Sequence, residues 1–236
     1  MFTIRFQAWI RRHAQRLAGL LAALPVTPNQ VTFVGMLIAF AAAALTATGR
    51  LLPAGIVLAV GGTFDILDGA LARVTGKGYA FGAFFDSTLD RFSEGAIYVG
   101  VAVYFARHQS SWQQWQVLGT ALALAGSYLV SYVRARAQSL GFKCDVGVFA
   151  RPERVVATVV GLVFGATVLT YVVWALAVLA NFTVLQRVHA VWRQARAARR
   201  EDERASVRAG ERAGERHEEV TGVPPGPPAP SSSVRR

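Results

Sequence analysis

The apolar positions of this chain fall in long runs, not in the alternating pattern of a half-buried strand. A bilayer core needs about 20 apolar residues per helix. On that measure six spans are predicted, roughly at 30–48, 52–73, 82–106, 114–138, 152–168 and 171–193. The fifth is short, and its junction with the sixth is placed near Thr170. Thr27-Pro28-Asn29 is a start signal for the first helix, with proline near its first turn. Gly49 and Pro53 punctuate the first connection, Gly76 and Gly78 the second. Ahead of the first span, residues 4–21 alternate apolar and basic side chains at helical spacing, as in a helix lying flat in the interface. The expected fold is an all-α integral membrane protein: six transmembrane helices plus an N-terminal interfacial amphipathic helix. The expected organisation is an interfacial helix at 1–21, a six-helix membrane domain at 22–193, and a charged, then Pro/Ser-rich, disordered tail at 194–236, whose charged first part can extend a helix that its glycines weaken and whose last part has nothing to bury. Residues 1–19 show no long apolar stretch and no clear cleavage site, so no cleaved signal peptide is expected.

Charge assigns a direction to these spans. The formal net charge is +11, which alone would invite a nucleic-acid reading. The arginines instead border the apolar runs, as they do at a membrane surface, so no nucleic-acid partner is expected. Arg5, Arg11, Arg12 and Arg16 precede the first span; Arg73 and Lys77 lie in the second connection. Arg134, Arg136, Lys143, Arg151 and Arg154 surround the end of the fourth, and Arg193, Arg196, Arg199 and Arg200 follow the last. The opposite side offers only Arg50 and Arg107. The positive-inside rule then places both termini in the cytoplasm, in a multi-pass protein of the cytoplasmic membrane. The lone Cys144 excludes an internal disulfide and any multi-cysteine metal site.

The acidic residues are where chemistry enters. Before Asp145 there are five: Asp65, Asp68, Asp86, Asp90 and Glu94, all within one stretch of 30 residues. Asp65 and Asp68 are three apart, and Asp86 and Asp90 four apart, so each pair shares a helix face. The connection between the two helices is short, which makes them antiparallel neighbours with facing carboxylates near the cytoplasmic end. Each Asp in a spanning helix costs about 2.5–3.5 kcal/mol, so four cost on the order of 10–14 kcal/mol before their mutual repulsion is counted. A bound cation relieves that conflict. Carboxylates without His or Cys point to a hard ion such as Mg²⁺ or Mn²⁺. The structural alternative is pairing with Arg73 and Arg91, which satisfies two of the four. A divalent-cation transporter is a functional alternative, since it too needs intramembrane carboxylates.

The run Asp65-x₂-Asp68-Gly69-x₂-Ala72-Arg73-x₈-Gly82-x₃-Asp86-x₃-Asp90 resembles the signature of the CDP-alcohol phosphatidyltransferases at eight fixed residues across 26 positions. The resemblance covers roughly residues 20–193. It implies transfer of a phosphatidyl group from CDP-diacylglycerol to an alcohol, with two Mg²⁺ (or Mn²⁺) ions per active site held by Asp65, Asp68, Asp86 and Asp90. It further implies that Asp90 is the general base. Asp68, Gly69, Ala72 and Arg73 belong to the CDP-lipid site, and Asn29, Thr32 and Tyr79 stand where the family contacts CDP. Asn29 and Thr32 can equally be read as helix-start residues.

A second, basic constellation bears on the acceptor. Ser131, Arg134 and Arg136 close the fourth span, Arg154 opens the fifth, and Arg187 lies within the sixth, where a charge needs a partner. Arginines from three helices can converge on one phosphate; the alternative is that most are anchors at the membrane surface. The stretches Ser131-x₂-Arg134-x-Arg136, Arg151-Pro-Glu-Arg154 and Gln186-Arg187-x-His189 are similar to the phosphatidylinositol-phosphate synthase branch. That branch implies 1L-myo-inositol 1-phosphate as acceptor, held by Ser131, Arg134, Arg136, Arg154 and Arg187, with phosphatidylinositol phosphate and CMP as products. Arg134 stands where members of the branch carry Lys. The runner-up is phosphatidylglycerol-phosphate synthase, whose acceptor is glycerol 3-phosphate; its usual Arg-Glu pair in the fourth span is missing here. Expected partners are thus CDP-diacylglycerol, a phosphorylated alcohol and the lipid bilayer; a homodimer is compatible with this architecture.

Overall fold

The structure is a computed structural model, described here for residues 26–76, 79–108, 110–147 and 149–221, without the side chains of 211 and 213–221. The predicted interfacial helix at 1–21 and the Pro/Ser-rich end of the tail lie outside the described residues. Among the described residues there are six helices and no strand. They are α1 (Pro28–Ala47), α2 (Leu51–Thr75), α3 (Ala80–Arg107), α4 (Gln113–Ser139), α5 (Arg151–Phe164) and α6 (Ala166–Thr221). Four are long and apolar enough to cross a membrane: α1, α2, α4 and the first part of α6. The other two differ for separate reasons. α3 carries Asp86, Asp90, Arg91 and Glu94, and α5 has 14 residues, about 21 Å at 1.5 Å per residue.

Local chemistry explains the boundaries. Thr27 caps α1: its hydroxyl accepts from the Gln30 backbone, and the Gln30 side chain accepts from the Thr27 N–H, a capping box with Pro28 in the first turn. The break between α5 and α6 is at Gly165, not near Thr170. Gly165 takes φ 92° and ψ −176°, a conformation open to glycine and barred to threonine. Thr170 instead sits one turn into α6, its hydroxyl bonded to the Ala166 carbonyl and to the Gln116 amide of α4.

The tail begins as helix: residues 194–221 continue α6, the extension that the charged first part of the tail allowed. That stretch is rich in Ala, Arg and Glu, all strong helix formers. Arg199 and Glu203, one turn apart, form an ion pair at 3.1 Å. Gly210 and Gly214 each cost about 1 kcal/mol, which such a run tolerates.

α1 packs against α2 and α3, α5 against α2 and α6, α3 against α4, and α4 against α6. The main core joins five of these helices through Ala42, Ala43, Ala54, Leu58, Val101, Phe105, Leu162 and Leu169. Small residues bring α1 and α3 together: a Cβ on Gly100 would lie 2.5 Å from the Ala43 carbonyl oxygen. This core occupies the end of α1 and the start of α2. α1 packs against both α2 and α3, so at the opposite end, which carries the charges, its start links the second half of α2 to the first half of α3.

Candidate active site

Two facing helices carry the aspartates. Asp65 and Asp68 project from the second half of α2; Asp86 and Asp90 project from the first half of α3. Each of Asp68 and Asp90 feels the charge of Asp65 and Asp86, so the four form one electrostatic group. Asp68 is buried and oriented from two directions. The Thr32 hydroxyl lies 2.7 Å from its Oδ2, and the Gly69 N–H donates to its Oδ1 at 2.5 Å. Neither Asn29 nor Thr32 caps α1, since that role belongs to Thr27. The Asn29 amide instead donates to the Tyr79 hydroxyl at 3.0 Å, linking α1 to the start of α3.

These residues surround a cleft of about 550 Å³ that opens on one side. Asn29, Thr32, Asp68, Gly69, Ala72, Arg73 and Tyr79 all line it, together with Asp86. The seven residues that the sequence resemblance implies for CDP-lipid binding are thus brought together by two helices, α1 and α2, and by Tyr79 just ahead of α3. Tyr79, Phe81 and Phe85 add a run of stacked rings beside it, with centroids 6.1 and 5.8 Å apart. The small side chains of Gly69 and Ala72 leave the α2 backbone accessible from the cleft.

Of the two counter-charges named from sequence, Arg91 pairs with Asp90 at 3.6 Å, whereas Arg73 makes no ion pair with these aspartates. The close partner is Arg151, from the first turn of α5. Its Nη2 lies 2.8 Å from Asp65 Oδ2 and 2.7 Å from Asp90 Oδ1, so a single nitrogen bridges α2 and α3. Three residues on, Arg154 is 1% exposed and donates through Nε and Nη2 to both oxygens of Glu94, at 2.7 and 3.0 Å. Its Nη1 turns to the Phe149 carbonyl. Glu94 continues the Asp86–Asp90 stripe at the same four-residue spacing. That spacing was the available signal for its place at the site. For Arg151 the only signal was its i, i+3 relation to Arg154.

The donor set fits a hard divalent cation, because four carboxylates and no His or Cys face one another. Among the described residues no three of them close on one point to form a metal cage as they stand. The bridging guanidinium of Arg151 occupies the region between Asp65 and Asp90, which shows that these carboxylates can share a cation.

The basic residues are distributed less tightly. Arg134, Arg154 and Arg187, from α4, α5 and α6, are close enough for Arg187 to feel the other two charges. Their donors, however, turn to protein groups. Arg187 donates to the Val146 carbonyl at 2.9 Å and to the Val130 carbonyl at 2.5 Å. Arg134 pairs with Asp145 at 2.8 Å on the surface. The Ser131 hydroxyl bonds to the Ser127 carbonyl, and Arg136 is exposed. Arg187 and Arg134 thus bond to the segment after α4, at Val146 and Asp145.

Carboxylates on facing helices beside a nucleotide-sized cleft define a membrane phosphotransferase site, and comparison with known proteins gives its family. Residues 25–192 match the family model for CDP-alcohol phosphatidyltransferases, and the chain belongs to that family. It is 39% identical over 181 residues to the archaetidylinositol phosphate synthase of Pyrococcus horikoshii, covering 76% of this chain and 91% of that protein. It is 37% identical over 181 residues to the phosphatidylinositol phosphate synthase of Mycobacteroides abscessus, covering 74% and 81%. The crystal structure of the Mycobacterium tuberculosis phosphatidylinositol phosphate synthase with CDP-DAG bound superposes with a TM-score of 0.71 at 34% identity, over 77% of this chain and 94% of that one. A second structure of that enzyme, in complex with manganese and citrate, also gives 0.71, at 35% identity.

Proposed function

We propose that this protein transfers a phosphatidyl group from CDP-diacylglycerol to 1L-myo-inositol 1-phosphate, releasing CMP, at a site facing the cytoplasm in a six-crossing protein. The observation that carries the reading is the cleft lined by Asn29, Thr32, Asp68, Gly69, Ala72, Arg73 and Tyr79 beside the four aspartates. The relatives named as inositol phosphate synthases support the acceptor, and the manganese complex of the tuberculosis enzyme supports the metal.

Asp65, Asp68, Asp86 and Asp90 would hold two divalent ions. Bound there, Mg²⁺ or Mn²⁺ offsets the charge that develops on the pyrophosphate as it is attacked. Thr32 and the Gly69 N–H hold Asp68 in one orientation, so it enters the reaction already positioned. Asp90 takes the proton of the acceptor hydroxyl. The hydroxyl oxygen then bonds to the lipid-bearing phosphorus, and the bond from that phosphorus to CMP breaks. Arg154 is paired with Glu94 and Arg134 with Asp145, so the positive charge that suits a phosphate-bearing acceptor comes from Arg187 and the exposed Arg136.

CMP release by purified protein tests the reaction. It should require the lipid donor and an acceptor together, disappear in EDTA and return with Mn²⁺ or Mg²⁺. Asp90→Asn should lower turnover by about 10²–10⁴-fold, the usual worth of a general base, with the thermal midpoint kept. CMP release that persists in rigorously metal-free buffer, or an active and well-folded Asp90→Asn protein, contradicts the reading. Metal uptake into vesicles without CMP release would favour a cation transporter.

A further inference from the structure

We propose that Arg151 is an internal cation that competes with divalent metal for Asp65 and Asp90, so that metal loading and release of the Arg151 guanidinium are one event. The inference rests on the metal-dependent reading above and adds a residue to it.

Two arginines lie three residues apart on α5, and the structure holds them in opposite ways. Arg154 is fixed. It is fully buried, it uses two nitrogens on two oxygens of Glu94, and its third nitrogen is taken by a backbone carbonyl. Such an arrangement is the bidentate geometry of a permanent pair. Arg151 is held by one nitrogen only. Its Nη2 serves both Asp65 and Asp90, while its Nε is buried without a hydrogen-bond partner. A buried donor left unpaired costs about 1–3 kcal/mol, so this pose is under-satisfied. The side chains of Arg151 and Asp65 are also 23% and 25% exposed, so the contact is open to ions from outside.

Charge makes the same point. The four aspartates carry four negative charges, and Arg151 returns one. Arg91, at 3.6 Å from Asp90, adds a weaker contribution. A divalent ion compensates more charge in less space than a guanidinium, and on this proposal it takes the same two oxygens. A metal placed between Asp65 Oδ2 and Asp90 Oδ1 would occupy the position that Arg151 Nη2 now holds at 2.8 and 2.7 Å. The long arginine side chain is rooted at the first residue of α5, so withdrawal by rotation of the side chain needs no movement of the helix. Arg151 is thus a positioning residue for the metal site, one that holds Asp65 and Asp90 together and offsets one negative charge until the metal arrives.

Manganese binding to purified protein without lipid, followed by the loss of the free Mn²⁺ resonance signal, tests the competition directly. Arg151→Gln should bind Mn²⁺ about 10-fold more tightly than wild type or better, the effect of removing one charge-assisted competitor. Arg91→Gln, which also removes a positive charge near Asp90, should change the affinity by less than about 3-fold, because it blocks no ligand oxygen. In EDTA the thermal midpoint of Arg151→Gln should fall below wild type, and Mn²⁺ should raise it by more than it raises wild type. A readout on the unaltered protein removes dependence on the variant's folding. Modification by phenylglyoxal, mapped by peptide mass, should speed up several-fold at Arg151 when Mn²⁺ is added and stay unchanged at Arg154. Equal or weaker Mn²⁺ binding by Arg151→Gln, or Arg151 reactivity indifferent to Mn²⁺, overturns the proposal and leaves the proposed reaction standing. Failure of the wild type and both variants to bind Mn²⁺ overturns the metal-dependent reading itself.

Discussion

At the scale of single residues, the site is a contest over counter-charges, and the strongest claim concerns Glu94 and Arg154. Both are buried, and each satisfies the other. Removing one partner leaves an uncompensated buried charge, at a cost of about 3–5 kcal/mol. Glu94→Gln and Arg154→Gln should therefore each lower the thermal midpoint strongly. The double replacement should cost less than the sum of the two, by a coupling measured in a double-mutant cycle. Additive losses would show that the pair does not act as a unit. The aspartates were legible in the sequence because a carboxylate inside an apolar run has no ordinary explanation. The guanidinium assignments were not. Arg151 and Arg154 both sit where the positive-inside rule already accounts for a basic residue, so the sequence could not separate an anchor from a bridge. The resemblance directed Arg154 toward a phosphate, whereas in the structure its donors are taken by Glu94 and Phe149.

At the scale of helices, hydrophobic run length located all six elements but not their joints. The sequence placed the α5–α6 break near Thr170 because it weighed apolar length; backbone conformation put it at Gly165. It ended the sixth span near 193 because the polarity changes there, yet a helix can leave the apolar layer without ending. Run length says what a helix can be buried in; capping and glycine geometry say where it stops. Close approach of helices is equally hard to read, since a glycine in a membrane helix is common. Gly100 is specific: α1 and α3 touch there backbone to backbone. Gly100→Ala should force them apart and destabilise the protein by about 1–3 kcal/mol. Val99→Ala, on the exposed face one residue away, should cost much less. Thermal midpoints in detergent compare the two. An equal effect at both positions would mean that the α1–α3 contact is loose.

At the scale of the whole molecule, every residue discussed for catalysis lies at one end of the bundle, and the sequence gives that end a side. Positive charges gather around it, so it should face the cytoplasm. Single cysteines at Ser139 and at Ser111 would report this, because the native Cys144 is buried. An impermeant thiol reagent should reach Ser139→Cys only from the cytoplasmic side and Ser111→Cys only from outside. The reverse pattern would turn the molecule over. Orientation matters because the proposed acceptor, a phosphorylated alcohol, is water-soluble and must come from one compartment.

The acceptor itself is the central claim, and one measurement addresses it most directly. Purified protein is given CDP-diacylglycerol, Mn²⁺ and equal amounts of inositol 1-phosphate, glycerol 3-phosphate, inositol and serine, and the lipid products are resolved by mass. Phosphatidylinositol phosphate should dominate, with CMP formed in equal amount. A product drawn mainly from glycerol 3-phosphate would keep the phosphate-binding cluster and contradict the acceptor; a product drawn mainly from inositol or serine would contradict both.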